Sequence, residues 1–309
     1  MTVVAWLLDS DPSIRWQVMR DLSDEPDDLV AAERSRVASE GWGARLLALQ
    51  APDGQWGGGT YHPYWTSTHY TLLLLRALGL DPTSEQARRA VTLVRDNVTW
   101  QGVLPEDAAW HGRPFFSGEV EPCINAMALA LGAYFGESSE EVLQRLLDEQ
   151  LDDGGWNCQA PPSVRSSFHT TICVLEGLLE YERANGATAA VTEARARGQE
   201  YLLERRMFRS LSSGQVINRD WTLFSFPTWW HYDVLRGLDY LRRAGAEPDD
   251  RIAEAIALVE KNRRSDGRWP LQNPHAGQLH FDMEERADEP SRRITLRAMR
   301  VLSWASHGG

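Results

Sequence analysis

Apolar residues return along this chain every three or four positions, in blocks long enough for helices, while the strict alternation of strands is nearly absent. The pattern predicts helices at 11–22, 27–49, 66–79, 84–98, 121–136, 139–150, 166–184, 188–206, 229–244, 249–262 and 291–305. Capping chemistry agrees: Asp11-Pro12-Ser13 and Glu289-Pro290-Ser291 open segments, and Gly79, Gly136, Gly186 and Gly245 close them. The segments starting at 66, 121, 166, 229 and 291 are apolar around most of their circumference; those at 84, 139, 188 and 249 carry one charged face. The first set is therefore expected inside and the second outside. With 11–22 as a sixth inner helix, and the short run from Val3 to Leu8 as the matching outer one, the expected fold is all-α, a single (α/α)6 toroid spanning 1–309 with no composition break to mark a second domain.

Repetition supports that architecture. An Asp-Gly-x-Trp frame occurs at Asp53 to Trp56, Asp153 to Trp156 and Asp266 to Trp269, each time between two helical stretches. Thr68-His69-Tyr70-Thr71-Leu72 aligns without a gap with Phe168-His169-Thr170-Thr171-Ile172, which makes His69 and His169 equivalent on the sequence. Gln50-Ala51-Pro52-Asp53-Gly54-Gln55-Trp56 and Gln150-Leu151-Asp152-Asp153-Gly154-Gly155-Trp156 resemble the QW motifs of squalene and oxidosqualene cyclases; the third copy, from Arg263 to Trp269, lacks the Gln. The resemblance implies the toroid shared by triterpene cyclases, plant-type diterpene cyclases and protein prenyltransferase β subunits. From the residues themselves, Asp-Gly makes a tight turn and the Trp packs against a neighbouring helix pair.

The 309 residues, 42% hydrophobic and 25% charged, suit a globular chain with a large core. A net charge of −12 argues against nucleic acid or an anionic membrane surface as the main partner. No apolar run approaches the roughly 20 residues needed to span a bilayer, and Met1 to Asp9 lacks the pattern of a signal peptide, so a cytoplasmic location is expected. Three cysteines, Cys123, Cys158 and Cys173, are too few for a disulfide framework and leave metal binding or burial.

Loops feeding the inner helices surround one mouth of a toroid, so the polar residues at inner-helix starts are the candidates for a site. Glu121-Pro122-Cys123, with His169 one repeat later, offers three metal ligands and one open position, the pattern of catalytic zinc. It resembles the zinc site of prenyltransferase β subunits, with Glu121 where an Asp would stand, Cys123 for the Cys and His169 for the His. Without metal, Cys123 is a small buried residue, His169 a helix-start residue and Glu121 a favourable charge at a helix N-terminus. His69, His231 and Asp233 are candidate proton carriers or anchors. Trp65, Trp229, Trp230 and Tyr232 either line a cavity for an isoprenoid-like ligand, where their faces stabilise carbocations, or fill core. Arg292 is a candidate for an anionic headgroup, together with Arg15, Arg165, Arg209 and Arg293; most arginines at helix ends are merely solvated or paired.

The Asp-x-Asp-Asp motif by which class II terpene cyclases protonate an alkene is absent, as are Asp-Asp-x-x-Asp, a glycine-rich phosphate loop and a Gly-x-Ser-x-Gly elbow. The expectation is a prenyltransferase- or terpenoid cyclase-like enzyme acting on an isoprenoid or other apolar substrate, with Zn2+ as cofactor and any protein partner open. Two alternatives stand beside it: a non-catalytic lipid or terpenoid carrier, and a carbohydrate-processing α/α toroid in which Glu121 and Asp233 would be the acid and base.

Overall fold

The computed structural model describes residues 1–101, 110–284 and 286–306. Thirteen α-helices occur among them, joined by short 3-10 turns and isolated bridges, with no strand longer than a bridge. The inner helices are α2 (Pro12–Asp21), α5 (Thr68–Leu78), α7 (Pro122–Phe135), α9 (Phe168–Asn185), α11 (Val234–Arg243) and α13 (Arg292–Ser306). The outer ones are α1 (Val3–Leu8), α3 (Asp27–Ser35) with α4 (Gly41–Ala48), α6 (Glu85–Asn97), α8 (Glu140–Asp148), α10 (Ala189–Glu204) and α12 (Ala253–Lys261). Each inner helix packs on the next, α5 on α7, α7 on α9, α9 on α11 and α11 on α13. The ring closes where α13 meets α2, with Arg300 Nη1 donating to Gln17 Oε1 at 3.0 Å, and where the Trp16 indole of α2 donates to the Leu78 carbonyl of α5 at 3.0 Å. The fold is an all-α toroid.

The inner–outer distinction follows the residue pattern. From Pro122 to Ala133, α7 is buried at every position except Cys123, whereas α6 buries only Ala87, Ala90, Val91 and Val94 along one stripe. The three Asp-Gly-x-Trp turns are built alike. Each indole N–H donates to the carbonyl ten residues back, at the end of the preceding outer helix: Trp56 to Leu46, Trp156 to Leu146 and Trp269 to Val259, all at 2.7 Å. Each tryptophan backbone N–H meets a threonine hydroxyl of the next inner helix, Thr68, Thr171 or Thr295, at 3.1, 3.0 and 3.0 Å. The Gln50 amide joins its own turn, Gly54 O at 3.0 Å, to Ala90 O of α6 at 2.9 Å, and Gln150 joins Gly154 O at 2.7 Å to Ala194 O of α10 at 2.8 Å. Arg263 replaces that amide in the third copy, and its guanidinium lies 5.3 Å from the Trp269 ring instead.

Two predicted helices are interrupted. The block 27–49 breaks between α3 and α4, where Gly41 adopts a φ of +63° and the Trp42 N–H leaves the helix to donate to Asp11 Oδ2 at 2.7 Å. The block 229–244 becomes helical only at Val234: Trp229 sits at φ +50°, the His231 N–H closes a turn on Thr228 O, and Asp233 caps α11. Among the described residues no helix is long and apolar enough to cross a membrane.

Candidate functional site

The inner helices enclose a cavity of about 650 Å³. Its floor is the stretch Phe226, Pro227, Thr228 and Trp229, and its walls climb the middle and C-terminal halves of the inner helices, from Trp16 and Leu73 to Tyr134, Arg183 and Arg243. Of the helix starts expected as lining, those of α11 and α13 reach the cavity through Arg236 and Arg293, while aromatic rings stand at its floor. The Trp229 ring stacks on Trp65 at 4.9 Å and 4°, and the Trp65 N–H is taken by Ala276 O at 2.7 Å, so these rings separate the cavity from the N-terminal rim.

The walls differ in character. Leu73, Leu74 and Ala77 of α5 with Met127 and Ala130 of α7 make one side apolar. The facing side, from α9, α11 and α13, is charged, and over the whole lining ten arginines stand against the three carboxylates Glu176, Glu180 and Asp239. Arg236 holds Glu176 at 2.7 Å, Arg76 and Arg243 hold Glu180 at 3.1 and 3.4 Å, and Arg242 holds Asp239 at 2.9 Å. Although burial opposes ionisation, these arginines keep the Glu176 and Asp239 carboxyls below the ordinary carboxylate range. Neither is a protonated acid at neutral pH.

Of the residues proposed for substrate contact, Trp229 lines this cavity. Tyr232 is core, its hydroxyl donating to Met207 O at 2.6 Å. Trp230 stacks on His231 at 3.7 Å at the rim. Arg292 turns outward, donating to Asp9 O at 3.0 Å with its guanidinium over the Trp6 ring, and its neighbour Arg293 lines the cavity instead. Arg15 and Arg209 are paired with Glu33 and Glu254 of the outer helices α3 and α12.

The proposed proton carriers lie outside the cavity. His69 is fully buried among the rings of Tyr61, Tyr70, Trp100 and Phe115, neither nitrogen is hydrogen-bonded among the described residues, and burial lowers its pKa to about 3. His69 and His169 are each the second residue of their helix, yet they are not equivalent in space. The threonine that anchors the tryptophan turn is Thr68 in α5 but Thr171 in α9, so His69 lies one turn deeper and occupies the place of the buried Ile172. His231 is held between Trp230 and His275, whose ring is 3.8 Å away; burial, then the neighbouring imidazoles of His275 and His169, lower its pKa to about 3. Asp233 is the α11 cap, buried and accepting from Arg236 N at 2.8 Å and Ser225 N at 3.2 Å.

The residues expected as metal ligands are grouped differently from the expectation. Glu121, Cys123 and Cys158 bring one ligand atom each within 4.8 Å of one another, and His169 is not in that group. The loop after Trp156 folds back so that Cys158 Sγ lies 3.3 Å from the Thr170 hydroxyl, on the side of α9 that faces α7. His169, one residue earlier, points toward α11 and spends Nδ1 on the Tyr232 N–H at 2.8 Å. A hydrogen bond from Cys123 lowers the pKa of Cys158 and correspondingly raises that of Cys123. Sequence reasoning singled out Arg293 but neither Cys158 nor the other cavity arginines. A signal for the latter existed: Arg293, Arg297 and Arg300 repeat at helical spacing along one stripe of an inner helix, where a dry core would place apolar residues.

No protein-family profile matches this sequence, and no curated protein matches it. Among solved structures the chain is similar to the type II terpene cyclase MstE from Scytonema in its apo form, at 17% identity over 96% of this chain and 88% of that one, with a TM-score of 0.43. A variant of that cyclase in complex with merosterolic acid A (product) gives 16% identity, 97% and 88% coverage and a TM-score of 0.45. A second variant, in complex with geranylgeranyl dihydroxybenzoate (substrate), gives 16% identity, 99% and 87% coverage and a TM-score of 0.43.

Proposed function

We propose that this protein is a terpenoid cyclase- or prenyltransferase-like enzyme that takes an isoprenoid chain into the central cavity. The observation that carries this is the two-sided lining: an apolar wall from α5 and α7 and an aromatic floor at Trp229 and Phe226, within a volume suited to one small ligand. The chain would lie against the apolar wall, and the ring faces at the floor would stabilise positive charge developing on it. The absence of Asp-x-Asp-Asp and the ionised state of Glu176 and Asp239 argue for chemistry that begins by losing a leaving group rather than by protonating an alkene.

Ala77 is an exposed residue of the apolar wall, so Ala77→Trp fills the cavity without disturbing buried packing. Saturable quenching of tryptophan fluorescence by geranylgeraniol is expected in the wild type and at least tenfold weaker in Ala77→Trp. Absence of saturable binding by any prenyl alcohol in folded protein would defeat the proposal, and binding without turnover of any prenyl substrate would make the protein a carrier.

Zinc belongs to the same proposal, with Glu121, Cys123 and Cys158 as the residues that would hold it. Two sulfurs and one carboxylate suit zinc's borderline softness, and the donor atoms already lie together. When bound, the ion would supply a Lewis acid with one open coordination position. Elemental analysis is expected to find about one zinc per chain, lost in Cys123→Ala and in Cys158→Ala but retained in His169→Ala; protein that neither carries nor takes up zinc rules it out.

A further inference from the structure

Two thiols from segments far apart in the chain meet at the N-terminal rim. Cys123 stands on the first turn of α7 and Cys158 on the loop after Trp156, with α8 and the tryptophan turn between them along the sequence. Their sulfurs lie within 4.8 Å of one another, and both residues are half-buried, within reach of a small solute. Their surroundings are polar: Cys123 Sγ has Glu121 Oε2 at 3.6 Å, and Cys158 Sγ has the Thr170 hydroxyl at 3.3 Å. A structural cysteine is ordinarily a small apolar residue sealed in a core. That describes Cys173, which is 1% exposed, one turn deeper on α9, donating to Trp230 O at 3.6 Å and accepting from Arg236 Nη2 at 3.7 Å. Of the pairings that three cysteines allow, Cys123 with Cys158 is the one whose members both meet and face solvent.

We propose that Cys123 and Cys158 form a reversible disulfide, with hydrogen peroxide as the class of oxidant that closes it. One sulfur attacks a peroxide oxygen and becomes a sulfenic acid as the O–O bond breaks; the departing hydroxide takes that thiol's proton and leaves as water. The other sulfur then displaces the sulfenic oxygen, which leaves as a second water with the second thiol's proton. Two sulfurs are oxidised and one peroxide is reduced. Because the thiols already lie together, the second step is intramolecular and outpaces further oxidation of the sulfenic acid. One partner sits on a loop, so closure asks for side-chain rotation and not for repacking of helices. The bond ties the start of α7 to the end of its own repeat, across α8 and the Trp156 turn. The crosslink itself needs no metal. Its consequence for zinc rests on the reading of Glu121, Cys123 and Cys158 as a metal site, since the disulfide withdraws two of those three ligands at once.

The test uses folded full-length protein, reduced, stripped of metal with EDTA and treated with a small excess of hydrogen peroxide. Thiols titratable in denaturant are expected to fall from the three of the sequence to the single Cys173. The mass is expected to drop by two hydrogens, and a tryptic digest made without reductant to contain a peptide pair joining Cys123 to Cys158; dithiothreitol reverses all of this. Cys173→Ala is expected to crosslink like the wild type, and Cys123→Ala to give no linked pair but a sulfenic acid at Cys158 that dimedone traps. The wild-type digest stands even where a variant does not fold. Three persisting thiols, a linked pair that includes Cys173, or bonds formed only between chains overturns the proposal. Zinc added before peroxide is expected to slow crosslinking at least tenfold; equal rates with and without zinc would keep the disulfide and count against the metal site.

Discussion

His69 shows how much a single side chain's meaning depends on its surroundings. Buried in an aromatic box and carried from its ordinary 6.5 to about 3, it is neutral in the folded protein. Between those two values the unfolded chain holds a proton that the folded chain refuses. The stabilisation is therefore complete above pH 6.5 and is lost as pH falls, at about 1.4 kcal/mol per pH unit for one proton. Urea unfolding at pH 7, 6 and 5 is expected to show a shallower pH slope in His69→Phe than in the wild type, and identical slopes would contradict the box. At this scale residue type is visible in the sequence and direction is not. Arg292 and Arg293 are adjacent cations at the start of one inner helix, yet one stacks on Trp6 and the other faces the cavity, because neighbours on a helix point about 100° apart. The same geometry separates His169, turned toward α11, from Thr170, which meets Cys158.

Among the elements, the tryptophan turn is the unit that repetition announced. Its structural role was legible because Asp-Gly demands a particular turn and a repeated Trp demands a repeated socket. Gly154 has a φ of +92°, and a Cβ there would stand 2.6 Å from Arg197 O; Gly54 has a φ of +87° with Leu93 O at 2.7 Å. Gly154→Ala is expected to cost about 1–3 kcal/mol by strain and close approach. Gln150→Leu, which strips Gly154 O and Ala194 O of their shared donor, is expected to cost about 1–2 kcal/mol in equilibrium unfolding. An unchanged midpoint in both variants would mean the turn is not a staple. What repetition concealed was register: the gapless match of α5 to α9 holds within the helices, but Thr68 rather than Thr71 takes up the tryptophan N–H, so equal positions lie at unequal depth. The helix starts at Gly41 and after Asp233 were also hidden, since apolar spacing runs through them while the Trp42 N–H goes to Asp11 and the Arg236 N–H to the Asp233 cap.

For the molecule as a whole, closure depends on α2, which is tied by Trp16 to α5 and by Gln17 to Arg300 of α13. Deleting residues 1–21 would open the ring and expose Leu296 and Met299 on the closing face. Calorimetry is expected to show the sharp transition of the full chain replaced by a broad one at lower temperature; a transition as sharp as the wild type's would show that closure is dispensable. The order of helices, their inner or outer station and the recurrence of the tryptophan turn were determined by the sequence alone, because amphipathic period and turn chemistry are local properties. Which half of the ring is hollow, which arginine faces the hollow, and which cysteine joins Glu121 and Cys123 were decided only in three dimensions. Those are questions of rotation about an axis and of folding back between segments far apart in the chain, and a one-residue step that alters neither period nor composition turns a side chain from solvent to cavity.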